Sequence, residues 1–218
     1  MADINPVTLI FVMVFLGIAP FALMMVTSYV KIVVVISLVR NALGVQQVPP
    51  STVLNGLAIV LTIFIMAPTV TQTTALLAAQ ELPEKAGPAD LIKVIRNSSG
   101  PLTDFLDINT EKRIKVLFEK TALRVWPRDQ QERIHSRNFM ILVPAFTISE
   151  LTKAFQVGFL LYLPFVAIDL VISNILLAMG MMMVSPMTIS LPFKLLLFVT
   201  LDGWLKISQG LMVSYGGV

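Results

Sequence analysis

Long uncharged apolar runs, broken by short turn signals, fill most of this chain. Residues 7–26 carry no charge over 20 positions, about the length a helix needs to cross a bilayer. Asp3 precedes the run and no Lys or Arg does, so a retained span is expected rather than a cleaved signal peptide. Lys31 and Arg40 bracket a second apolar stretch, 32–39. The sequence GVQQVPP at 44–50 reads as a turn, because paired prolines lack N–H donors and disfavour helix before them. Residues 53–79 then predict a helix of up to 27 residues, kinked at Pro68 and made less oily by threonines at 69, 71, 73 and 74.

A second apolar block runs over 139–192. Between Lys153 and Lys194 its sole charge is Asp169. Pro164 interrupts it, which favours a long kinked helix or a hairpin over one straight span. A turn with prolines at both ends is expected over 185–192, and 191–213 closes the chain, carrying Lys194, Asp202 and Lys206.

Between the blocks, 81–138 is a polar insert. It holds 11 Lys/Arg and 9 Asp/Glu, leaving nine charges for the other 160 residues. Helices are predicted over 89–97 and 110–125, separated by a break at 97–101 and ended by Trp126-Pro127. In the second, Ile114, Leu117, Phe118 and Leu123 fall near one face, so a solvated helical cap is the expected form. The division is thus 1–80, N-terminal apolar helices; 81–138, the insert; and 139–218, C-terminal apolar hairpins. Lys31, Arg40 and Lys194 sit in or beside the short turns, and the positive-inside rule places those turns in the cytoplasm and the insert outside.

Composition agrees. Hydrophobic residues reach 56% and charged ones 13%, against roughly 45–50% and about 25% in soluble domains; mean hydropathy is +0.83. A soluble globular protein, a disordered chain and a disulfide scaffold are excluded. A net charge of +3 is too small and scattered for nucleic acid. With no cysteine and His135 alone, Cys/His metal sites are excluded. There is no phosphate loop, dinucleotide fingerprint or nucleophile elbow, so neither an enzyme nor a cofactor is expected.

Charges inside apolar blocks are costly unless paired. Glu150 and Lys153 are three apart and can meet on one helix face. Asp169 has no local cation; Lys194, across the next turn, is the nearest in sequence. A structural ion pair is the favoured reading, and a proton relay the other. Met181-Met182-Met183 follow Gly180 and precede Pro186. Methionine is soft and adaptable, so the run is either core filler or a deformable constriction around a pore, and sequence physics leaves both open.

Several clusters taken together are specific. They are Lys31 with RNALGVQQVPP at 40–50; Gly56-Leu57 and Met66-Ala67-Pro68; LVPAF at 142–146, Ser149-Glu150-Leu151 and AFQVGF at 154–159; Pro164-Phe165 with Asp169-Leu170-Val171; GMMMVSP at 180–186; LPFK at 191–194; and Asp202-Gly203-Trp204. In this order the chain resembles the FliP/SctR inner-membrane subunits of the type III secretion export apparatus, shared by flagella and injectisomes. The match spans 7–80 and 139–215 and leaves out the insert. Ser185 stands where flagellar members usually have proline, and Val157 where they have isoleucine or methionine. The injectisome branch is therefore favoured.

The resemblance implies an all-α fold of kinked, membrane-associated hairpins assembling into a homopentameric ring, with helix kinks at Pro20, Pro68, Pro164 and Pro186. Its implied partners are small S-type and T-type membrane subunits, larger export-gate membrane subunits, membrane lipid, and unfolded secreted proteins in transit. The assembly would sit at the bacterial inner membrane, partly raised toward the periplasm, as the entrance of the secretion channel. Met181, Met182 and Met183 would form a gasket narrowing the pore. Glu150, Lys153, Asp169 and Lys194 would form an ion network at subunit contacts. A small-solute or proton-coupled permease using Asp169 and Glu150, and a scaffold with no pore, are the competing expectations.

Overall fold

In a computed structural model describing residues 6–45, 47–80, 94, 97–135 and 137–216, every regular element is helical. The order is α1 Pro6–Met25, α2 Tyr29–Leu43, α3 Ser51–Ala78, α4 Gly100–Asn109, α5 Lys112–Val125, a short 3-10 turn Arg128–Arg133, α6 Phe139–Ala178, α7 Pro186–Thr200 and α8 Gly203–Val213. The expected all-α class is observed. Most of the helix predicted over 89–97 lies outside the described residues.

α2 is the most deeply set helix because its apolar positions recur with helical period. Ile32, Val35, Ile36, Val39, Ala42 and Leu43 are buried, and Lys31 lies among them. Gly44 ends it in the left-handed region at φ 78°, its N–H donating to the Asn41 carbonyl. Arg40 Nη1 donates to Ser51 Oγ at 2.9 Å, tying the end of α2 to the start of α3. Thr62, Thr71 and Thr73 return their hydroxyls to carbonyls four residues back, so they add no free polar group to α3.

α6 has 40 residues, about 60 Å at 1.5 Å per residue. Asn138 starts it, its side chain accepting from the Met140 N–H. Leu142, Phe146, Glu150, Ala154 and Gly158 are buried at four-residue intervals, a stripe that meets the insert at its start and α2 from Glu150 to Gly158. At Gly158 an added Cβ would stand 2.2 Å from Leu38 Cδ1 and 3.2 Å from Leu38 Cβ. Glycine is therefore what lets the two helices approach.

Two cores result. One gathers the buried face of α2 with Leu54, Ala58 and Leu61 of α3, Ala154 and Phe165 of α6, Phe198 of α7 and Leu211 of α8. The other, at the insert end, holds Leu106, Leu142 and Phe146 with Val26, Leu102 and Phe105 against them. The insert is thus docked on α6 rather than free in solvent. α4, which begins within the expected break, carries Leu106 of that core.

The four prolines fall in two kinds of place. Pro20, Pro68 and Pro164 lie inside helices that run on through them. Pro186 occupies the first turn of α7, where the missing N–H has no partner to lose; it starts a helix and is not a kink. The expected turn over 185–192 is therefore helical from 186, and the turn proper is 179–185. Successive helices bend by 71° between Leu16–Met25 and α2, and by 58° between α7 and α8. At the second, Asp202 takes φ 53° and splits the single closing segment expected over 191–213. α3 and α6 are each long and apolar enough to cross a membrane, and up to four crossings result if each bent pair is one span.

Candidate functional site

Three features bring the chemistry-bearing residues together. The first is an ion cluster at Glu150. This carboxylate has no exposed surface and Lys31 has 4%. Lys31 Nζ stands 3.8 Å from Oε2 and 4.0 Å from the centre of the Tyr215 ring. Lys153 Nζ donates to Oε1 at 3.2 Å, as the i,i+3 spacing predicted, and also to the Asn109 carbonyl. The Tyr215 hydroxyl donates to Oε2. Burial first, then the Glu150 charge, raise the Tyr215 phenol above its ordinary pKa, so it remains a donor near neutral pH. Ser149, beside the cluster, accepts from the Glu111 N–H at 3.1 Å, joining the insert to α6.

Sequence reasoning found Glu150 and Lys153 but missed Lys31 and Tyr215 as their partners. A readable signal for Lys31 did exist, since a lone lysine opening an apolar run requires an anion. Nothing in the sequence marked Tyr215.

The second feature is the Asp169–Lys194 pair between α6 and α7. Lys194 Nζ donates to Asp169 Oδ2 at 2.6 Å and to the Ala42 carbonyl at 3.2 Å, and Ser190 donates to Oδ1 at 2.6 Å. Lys194 is buried, whereas Asp169 is 38% exposed. The partner expected for Asp169 is the one observed, and it lies in the same chain. Lys31 and Lys194 are thus internal, which leaves Arg40 alone of the three cations that oriented the chain across the membrane.

The third feature is the turn joining α6 to α7. The Gly180 N–H donates to the Leu177 carbonyl at 3.0 Å and the Met181 N–H to the Leu176 carbonyl at 2.9 Å. With Gly180 at φ 74°, this is a Schellman closure, which needs a residue free to be left-handed. The chain then turns outward, leaving Met181, Met182 and Met183 at 40%, 82% and 101% exposure. Core filler is excluded for Met182 and Met183 within one chain. Among the described residues no group of His, Asp or Glu is placed to hold a metal ion.

These features define an all-helical protein with helices of membrane-crossing length, two internally neutralised carboxylates and a sulfur-rich turn on its surface. The FliP family profile matches residues 12–211, and the chain belongs to that family. It is 50% identical over 213 residues to the Yop proteins translocation protein R of Yersinia pestis, covering 98% of each chain. It is 48% identical over 204 residues to the virulence protein YscR of Salmonella typhimurium, covering 92% of each. It is 43% identical over 217 residues to the hypersensitivity response secretion protein HrcR of Ralstonia nicotianae, covering 99% of this chain and 100% of that one.

Proposed function

We propose that this protein is a non-enzymatic core subunit of a type III protein secretion export gate of the injectisome type. In this reading it forms, as a homopentameric ring with small S-type and T-type and larger export-gate membrane subunits, the entrance channel for unfolded substrates at the bacterial inner membrane, partly raised toward the periplasm. The observation that carries the reading is end-to-end similarity to secretion and translocation proteins, from residue 12 to residue 211 for the family.

The geometry supports the pore assignment at the α6–α7 turn. Three consecutive methionines project from a closed, glycine-dependent turn. Side chains with three rotatable bonds and a polarisable sulfur can close against one another and yield to varied polypeptides. A ring of such apolar side chains blocks ions by dewetting. Asp169 and Lys153, only part-buried in one chain, are the members of the ion pairs that can also meet a neighbouring copy.

The test is substitution of Met181, Met182 and Met183 together by alanine in the assembled complex. Ion leakage across the membrane should rise while export of substrate persists. Unchanged conductance in reconstituted complexes would reject the gasket, and export that fails while the complex stays assembled and tight to ions would assign the turn another role.

A further inference from the structure

We infer that α8 is a flap latched shut by Tyr215, and that the latch holds only while the insert is docked on α6, so that the last helix and the polar insert open and close as one coupled device. The sequence already makes α8 a weak helix. It begins at Gly203 and carries Gly210 in its interior, and glycine inside a helix costs conformational entropy. Of its eleven residues only Leu211 is deeply buried within the chain. The helix is held toward its two ends. At the first, Asp202 takes φ 53° at the 58° bend between α7 and α8, and Trp204 stands edge-on to Phe198 at 5.2 Å. Between the ends a cavity of about 200 Å³ lies under the helix, lined by Val35 of α2, Val157 and Leu161 of α6, and Ile207 and Gly210 of α8. A Cβ added at Gly210 would meet no atom within 4 Å, so the middle of α8 bridges open space.

The second end is fixed by Tyr215, two residues beyond α8. This one side chain meets three other segments. Its hydroxyl donates to Glu150 of α6, Lys31 Nζ of α2 stands 4.0 Å from its ring centre, and the ring is stacked on Phe105 of α4 at 5.9 Å and 15°. Phe105 packs in turn against Phe146 of α6, with ring centres 5.9 Å apart, so it takes its place under Tyr215 when the insert is docked. The stacked pair is therefore shared by two docking events, α4 on α6 and α8 over α2 and α6, and each must favour the other to the same extent. Tyr215 is also the member of the Glu150 cluster that can let go. When it leaves, Glu150 keeps Lys31 at 3.8 Å and Lys153 at 3.2 Å, and no buried charge is stranded. The device is complete within one chain and so is independent of the proposed ring.

Amide hydrogen exchange, followed by mass spectrometry on the full-length protein in mild detergent, tests this. Tyr215→Phe keeps the ring and loses the donor, so exchange over 203–213 should quicken by on the order of tenfold, the weight of a hydrogen bond to a charged group. Tyr215→Ala should quicken it further and should also quicken 100–109, the α4 helix of the insert. Phe105→Ala should act in the opposite direction, quickening 203–213 from the insert. Exchange over α2 and over 142–158 of α6 should match the unsubstituted protein in all three. Unchanged exchange over 203–213 in Tyr215→Phe would overturn the latch. A response in the substituted segment with none in the other would overturn the coupling. Faster exchange throughout, α2 included, would make Tyr215 a general core residue and overturn both. Should either alanine variant fail to fold, Tyr215→Phe together with Phe105→Leu, which keeps an apolar side chain but not the ring stack, reads the same two segments and decides the matter.

Discussion

A carboxylate without exposed surface is stable only while donors surround it. Glu150 has Lys31, Lys153 and Tyr215 doing so from three separate segments. Glu150→Ala would strand Lys31 in the interior, a loss of about 3–5 kcal/mol. Glu150→Gln, which keeps shape and one acceptor, should cost less. Thermal unfolding of the detergent-solubilised protein should show that order, and equal effects would mean that Lys31 does not depend on the pair. Gly203 is a second sensitive position, because an added Cβ would sit 2.3–2.6 Å from ring atoms of Phe198. That ring stacks edge-on against Trp204 at 5.2 Å, so Gly203→Ala must push it away. The expected cost is about 1–3 kcal/mol, together with a changed Trp fluorescence maximum. At this scale the sequence revealed spacing and isolation: Glu150 with Lys153, and Asp169 with Lys194. It hid Tyr215, whose partner is defined only when α8 returns beside α2 and α6.

Apolar length placed α1, α3 and α6 in the sequence, and a helix was legible over α5, whereas α2 showed only as an apolar stretch between Lys31 and Arg40. Pro186 was the misleading signal. A turn or kink is expected at Pro186, yet it begins a helix, whereas of the long helix or hairpin expected around Pro164 the long helix is observed, forty residues running through it. A proline in the first turn loses no hydrogen bond, and one inside a long helix can be carried by packing on both sides. The turn after α6 belongs to Gly180, whose φ of 74° permits the closure that presents the methionines. Gly180→Ala should cost about 1–2 kcal/mol and misdirect Met182 and Met183. Raised ion leakage with all three methionines intact is the expected readout; leakage equal to that of the unsubstituted complex would separate the turn's geometry from the seal.

Over the whole molecule, buried surface is scarce for so apolar a chain. Only 22% of the most apolar stretch of α3 and 11% of that of α6 are buried, and Phe64, Phe159, Leu160 and Val199 are more than half exposed. Hydropathy foretold membrane-grade helices but not which faces meet lipid and which meet protein, since both are apolar. Nor could it tell that Lys31 and Lys194 are internal. In the proposed ring many of these faces close against neighbouring subunits. Asp169, part-exposed beside Lys194, bears on that closure: Asp169→Asn should reduce the oligomer on native gels before it affects anything else. Intact oligomers that no longer export would instead favour proton coupling at Asp169. The most direct measurement is the native mass of the protein extracted in mild detergent. A closed multimer with five copies of this chain is the predicted result, and a stable, folded monomer would contradict the account.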